Sequence, residues 1–291
     1  MMDLPLSPVV AGAWRMAAWG WSAQERLRWI EGNLDLGITS FDHADIYGGY
    51  TVEGLFGEAL ALAPALRRRL QLVSKCGIRM VSPARLGNVV KHYDTSAAHV
   101  QASVDHSLRA LRTDHLDLLL IHRPDALLDA GELAATFDGL RAAGKVLQFG
   151  VSNFSPSQLA LLHRHCPLAT NQVELSPLHR DPLHDGTLDQ CQDLGLRPMA
   201  WSPLAGGRIF TSDEPAAQRV RAELESLGHE LRVGWTTLLC AWVMRHPSRP
   251  RPVIGSRRIE MAREAMAATE LRLDAQQWYR LWQAGAGHEV P

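Results

Sequence analysis

Eight short apolar, β-branched runs alternate with amphipathic stretches along this chain, and that alternation restricts its fold more than any other feature. Strands are predicted at residues 9–11, 39–42, 71–74, 116–121, 148–151, 170–173, 198–201 and 252–254. The 3.6-residue apolar period predicts helices over 22–36, 51–63, 96–111, 133–143, 155–165, 183–194, 218–245 and 259–268. End signals agree with this pattern. Ser22 and Glu25 make a capping box, Gly37 and Gly144 follow helix ends, and Ser155-Pro156 reads as N-cap and first turn. Regular strand–helix alternation implies a parallel sheet, and eight units imply closure into a (β/α)₈ barrel, one domain spanning 1–291. A doubly wound sheet would carry a G-x-G-x-x-G turn after a strand. The nearest approach here, Gly285-Ala286-Gly287, follows a helix instead.

Composition narrows the partners. The 291 residues are 46% hydrophobic, with a net charge of −1. That near-neutrality argues against nucleic acid or an acidic membrane surface as partner. Arg67-Arg68-Arg69 is the longest basic run, and it falls at a helix end, where cations are stabilised anyway. No stretch reaches the roughly 20 apolar residues of a membrane span. The opening MMDLPLSPVV lacks the charged and apolar regions of a signal peptide. Cys76, Cys166, Cys191 and Cys240 are far apart and form no C-x-x-C pair, which fits a reduced, cytoplasmic setting without a clustered metal site. No feature assigns an oligomeric state.

In such a barrel the chemistry lies at the C-terminal ends of the strands. Asp42 ends the second predicted strand in FDHADIYGGY, with Tyr47 in the following loop. Lys75 follows the third strand in LVSKCG, and His122 the fourth in LLLIHRP. Taken singly, a loop tyrosine is commonly packing, a strand-end lysine solvated, and a lone histidine structural. Only three of the 30 basic residues are lysines, however, and four such groups meet one end of three successive strands. Together they suit proton donation to a carbonyl oxygen. A free tyrosine, with a pKa of about 10, holds its proton too tightly, and a neighbouring ammonium should lower that value. Asp42 would hold Lys75, and His122 would orient the substrate oxygen. Asp45 competes for the first role; Asp42 is preferred because it terminates the strand.

The segments FDHADIYGG, SKCG, LLLIHRP, GVSNF, NQVELSPL, AWSPLAGG and IGSRRIE, in that order, resemble the aldo-keto reductase family over nearly the whole chain. That resemblance implies a (β/α)₈ barrel, a catalytic tetrad of Asp42, Tyr47, Lys75 and His122 with Tyr47 as general acid, and a small carbonyl substrate. It implies that Ser152, Asn153 and Gln172 bond a nicotinamide carboxamide and that Trp201 stacks on the ring. Seen alone, Ser152-Asn153 would be turn chemistry and Trp201 a core aromatic. Ser202, Leu204, Gly206 and Arg208 would cover the pyrophosphate. Gly255, Ser256, Arg257 and Arg258 would meet the adenosine 2′-phosphate, one guanidinium against the adenine face, so NADPH (NADP) is expected over NADH. The chain departs from the family at Met261 and Ala265, where the pattern has Arg and Asn; Arg263 lies nearby.

For the substrate wall the candidates are Trp14, Trp19 and Trp21, then Arg79, His92 and Tyr93 from the loop 77–95, His179, and the tail 285–291. Met80 and Met199 are assigned to the core, His163 and His165 to solvent mid-helix, and Asp94-Thr95-Ser96 to an N-cap. Two other functions deserve comparison. A regulatory cofactor-binding protein, as the resemblance to potassium-channel β subunits allows, would not need the intact tetrad. A metal-dependent hydrolase would need more ligands than His43 and His122.

Overall fold

A computed structural model describes residues 6–291; the first five residues of the N-terminal segment read above lie outside it. The strands are β1 (Val10–Gly12), β2 (Ser40–Asp42), β3 (Gln71–Cys76), β4 (Ile78–Arg79), β5 (His92–Tyr93), β6 (Leu116–Ile121), β7 (Val146–Ser152), β8 (Asn171–Glu174), β9 (Met199–Trp201) and β10 (Arg251–Ile254). Eight of them close in the order β1-β10-β9-β8-β7-β6-β3-β2, every neighbour parallel. β4 and β5 form a separate antiparallel hairpin inside the loop that had no predicted structure.

The near-continuous apolar runs follow from burial on both faces. Val10, Val73, Leu118, Leu120, Met199 and Val253 fill the barrel interior as one small cluster. The alternate residues Ala11, Leu72, Leu119, Phe149 and Ala200 belong to the larger core under the helices. Successive side chains in a strand face opposite sides, so residues two apart share a face. Lys75 is two past Val73, His122 two past Leu120, and Trp201 two past Met199. The interior stripe that is apolar at mid-barrel therefore turns polar at its C-terminal mouth.

Around the barrel run α1 (Ala23–Asp35), α2 (Val52–Leu60), α3 (Ala97–Leu111), α4 (Ala130–Ala142), α5 (Pro156–His163), α6 (Thr187–Asp193), α7 (Arg208–Thr211), α8 (Pro215–Leu231), α9 (Trp235–Met244), α10 (Ile259–Ala267) and α11 (Ala275–Ala286). The capping box at Ser22 forms as predicted, and Ser96 caps α3. Ser155 is the N-cap of α5 with Pro156 in its first turn, where Gln158 completes a capping box that was not predicted. The helix predicted over 218–245 is two helices. Arg232 turns left-handed (φ 57°) and Gly234 caps α9, which restarts the chain in a new direction. α11 was not predicted, although Asp274 and Gln277 supply it with a capping box. His163 closes α5, where its ring accepts from the Leu168 amide, and His165 is exposed beyond it; neither is mid-helix.

Candidate active site

Lys75 organises the mouth of the barrel. Its side chain is wholly buried, and Nζ donates to Asp42 Oδ2 at 2.7 Å, the His43 carbonyl at 2.8 Å and the Tyr47 hydroxyl at 3.0 Å. Those three bonds use every proton of the ammonium. Asp42 Oδ1 accepts from Gln172 Nε2 at 2.9 Å, so both carboxylate oxygens are engaged. The Tyr47 ring lies edge-on to His122, centroids 5.8 Å apart. Gly48 permits this loop: its φ is 58°, and a Cβ there would meet the Ala17 Cβ at 2.7 Å. Asp45 does not compete for Lys75. It is buried on the α2 side near Glu53, whose carboxylate accepts from Ser74 and Ser107.

The electrostatics correct one expectation. Burial raises the Tyr47 pKa and outweighs the opposing Lys75 ammonium, so the phenol sits above its ordinary value, not below it. Burial would depress Lys75, but Asp42 and then Tyr47 overcome it and hold the ammonium above the usual lysine value. Burial, reinforced by Lys75, Arg123 and Lys91, drives His122 well below the ordinary histidine range. His122 is therefore neutral, and its Nδ1 has no partner among the described residues. Burial and then Lys75 lower His43 to about 3, and neither of its ring nitrogens has a partner among the described residues. Burial, then Glu53, raises Asp45 well above the carboxylate range.

From this centre a cavity of about 1450 Å³ runs past Trp201 and the 202–208 loop to Ser256–Arg258. Gly255, Ser152, Gln172, Trp201, Ser202, Leu204, Gly206, Arg208, Ser256, Arg257 and Arg258 all line it. Asn153 does not; it braces the wall from behind, accepting from Trp201 Nε1 at 3.1 Å and donating to Ser152 Oγ at 2.8 Å. Ser152 in turn donates to the Gln172 carbonyl. The 202–208 loop bends through left-handed Ser202, Ala205, Gly206 and Gly207, and no atom lies within 4 Å of where a Gly207 Cβ would stand. Arg15 Nη2 donates to the Gly206 carbonyl at 2.8 Å and ties this loop to the one after β1. Ser256 Oγ accepts from the Arg258 amide and contacts Met261 Sδ at 3.2 Å. Ala265 is in the core, and Arg263 is exposed and off the cavity wall.

Of the residues expected on a substrate wall, Trp14, Trp19 and Tyr93 line the cavity, and so does Met80, which is not core. Trp21 packs on Trp19 instead, at 4.7 Å between centroids. Arg79 is engaged with Asp94 and Asn88, His92 turns to the Val90 carbonyl, and His179 lies 3.9 Å from both Glu174 and Asp181. These three and the tail 285–291 are not on the wall. Lys91, Arg123 and Glu174 are, and sequence reasoning missed them. Arg123, directly after His122, and Glu174, directly after the predicted strand 170–173, carried a positional signal; Lys91 carried none. Among the described residues no group of three His, Cys, Asp or Glu could hold a metal, and no helix is long and apolar enough to cross a membrane.

A closed parallel barrel with an ionic centre at its C-terminal mouth and a long cavity beside it defines a class, and the sequence model of the Aldo/keto reductase family matches residues 8–285. The chain belongs to that family, whose members reduce carbonyl compounds with a nicotinamide cofactor. It is 53% identical to the oxidoreductase YdhF of Escherichia coli (strain K12), over 98% of this chain and 95% of that protein. It is 43% identical to a 6-dehydroglucose reductase of Agrobacterium fabrum, over 99% and 97%. A crystal structure of an aldo/keto reductase from Klebsiella pneumoniae in complex with NADP and acetate superposes with a TM-score of 0.78 at 27% identity, covering 95% of this chain and 90% of that one.

Proposed function

We propose that the chain, as one barrel domain over 1–291 working in the cytoplasm, reduces small aldehydes or ketones with NADPH, and that Tyr47 is the general acid. The observation that carries this reading is the saturated Lys75 ammonium, bound at once to Asp42 and to the Tyr47 hydroxyl. The bound cofactor supplies hydride to the carbonyl carbon. Tyr47 gives its proton to the carbonyl oxygen, and the phenolate left behind is stabilised by Lys75 at 3.0 Å. Because burial holds Tyr47 protonated before reaction, Lys75 acts on the product side of that transfer. Neutral His122, at the rim beside Tyr47, donates a hydrogen bond that orients the substrate oxygen. Asp42 and Gln172 keep the lysine in place.

The cavity fits a dinucleotide. Ser152 and Gln172 would hold the carboxamide, with Asn153 supporting, and Trp201 would cover the ring. The glycine-rich 202–208 loop allows close approach to the pyrophosphate. Arg257 and Arg258, exposed and without an ion pair among the described residues, suit a 2′-phosphate dianion. For the substrate, a polyhydroxylated carbonyl is the best match. Arg123, whose Nη1 donates to the His122 carbonyl at 2.7 Å, stands on the wall with Lys91 and Glu174, offering donors and an acceptor to hydroxyl groups. The 6-dehydroglucose reductase named above is consistent with that choice. The test is NADPH consumption with a panel of aldehydes, sugar aldehydes, ketones and dicarbonyls. Turnover with the sugar aldehydes foremost is expected; no consumption with any of them would refute the reading.

A further inference from the structure

The far end of the cavity is aromatic on one side. Phe210 in α7 and Trp235, the first residue of α9, both line it and are both half-buried. Their rings are nearly parallel, 15° apart in plane with centroids at 6.1 Å. Arg257, Arg258 and Met261 line the same end. The contact between helices fixes Trp235 there: a Cβ on Gly234 would lie 3.4 Å from the Glu264 carboxylate, and Thr237 Oγ1 donates to the Glu264 carbonyl at 2.9 Å. α9 therefore starts against α10, the helix that carries Met261. The break at Arg232 and Gly234 makes this possible. It restarts the helix so that its first residue reaches the cavity rim while Thr236–Val243 run into the core.

Resting on the cofactor reading above, we propose that Trp235 is the adenine platform, the purine stacking on the indole and extending the Phe210–Trp235 stack. A purine needs an apolar or cationic cover over its π-face. Met261 stands where the family pattern puts an arginine, and among the described residues Phe210 is the only ring against Trp235. Trp242 shows what a tryptophan serving only the core looks like in this fold, at 1% exposure. With adenine on Trp235, neither guanidinium need cover the purine, and both Arg257 and Arg258 are left for the 2′-phosphate.

The experiment is calorimetric titration of adenosine 2′,5′-bisphosphate and of NADPH into wild type, Trp235→Leu and Trp235→Phe. Trp235→Leu should weaken both ligands by the same factor, about tenfold. Trp235→Phe should stay within about threefold, because it keeps a ring. Adenosine 2′,5′-bisphosphate should also quench wild-type tryptophan fluorescence, and that quench should vanish in Trp235→Phe. Unchanged affinity in Trp235→Leu, or a quench that persists without the indole, would overturn the proposal. A wild type that binds neither NADPH nor NADH would instead overturn the cofactor reading, and this inference with it.

Discussion

The cavity has two cationic ends, built on opposite principles. At one, the buried Lys75 has a partner for every proton, and its neighbours Tyr47 and His122 are held neutral largely by burial. At the other, Arg257 and Arg258 are exposed and free of ion pairs among the described residues. Charges interact far more strongly where water is excluded than at a surface. The sealed end is thus suited to shifting protons between fixed atoms, and removing one member disturbs the rest. The open end is suited to meeting a charge that arrives in solution, and removing one member should cost only that contact.

The largest effect should fall at the sealed end. Tyr47→Phe is expected to lower kcat by about 10²- to 10⁴-fold while calorimetric affinity for NADPH stays at the wild-type value. Wild-type turnover in this variant would remove Tyr47 from the chemistry. Lys75→Met comes next. It leaves Asp42 buried without its cation, which should cost about 3–5 kcal/mol of stability in denaturant titration. It also removes the charge that opposes the rise in the Tyr47 pKa, so the alkaline limb of kcat/KM should move to higher pH. A limb that stays put would show that Lys75 does not act on Tyr47. Asp42→Ala should be milder than Lys75→Met yet worse for turnover than Asp45→Ala; the reverse order would reassign the supporting carboxylate.

At the open end the effects should be smaller and confined to the cofactor. Arg257→Ala and Arg258→Ala should each reduce the ratio of NADPH to NADH affinity by roughly tenfold to a hundredfold, the worth of a hydrogen bond to a charged group. Thermal stability should hardly change. Equal wild-type affinities for the two cofactors, or two variants that keep the wild-type ratio, would contradict the assignment.

The narrowest effect, confined to the pH dependence of stability, belongs to His43, whose carbonyl serves Lys75 but whose ring has no partner among the described residues. Its folded value of about 3 lies below the ordinary 6.5, so the unfolded chain takes up the proton first as pH falls. The stability it contributes is complete above about pH 6.5 and is lost toward pH 3, at up to about 1.4 kcal/mol per pH unit. Between pH 7 and 5 that is about 2 kcal/mol. Melting curves of His43→Leu should therefore fall less steeply over this interval than those of wild type. An unchanged slope would mean the ring is not buried neutral.

The barrel was legible because burial on both faces leaves each strand a short apolar run that stands out between amphipathic stretches. Leu118 and Leu120 face inward, and His122 continues their stripe into the mouth. Asp42, Lys75 and His122 were legible as polar residues ending apolar runs, and Tyr47 as the tyrosine of the loop that follows Asp42. What the pattern hides is geometry between elements. The apolar period runs on through Arg232–Gly234, so the turn between α8 and α9 was invisible. Trp14, Trp19 and Trp21 look alike in sequence, and only the packing of Trp21 against Trp19 takes it off the wall. Met80 reads as core but lines the cavity, because the hairpin of β4 and β5 carries it to the rim. The rise in the Tyr47 pKa follows from desolvation, which depends on what folds over the ring and not on its neighbours in the chain.

One measurement tests the central claim most directly. A sugar aldehyde is reduced with NADPH carrying deuterium at the transferable position of the nicotinamide ring, by wild type and by Tyr47→Phe, and the alcohol is analysed by mass spectrometry and NMR. Wild type should place one deuterium on the carbinol carbon, with cofactor consumed in equal amount. Tyr47→Phe, with its cofactor site intact, should give at most a hundredth of that product in the same time. Alcohol without deuterium, or equal labelling rates in the two proteins, would contradict the account.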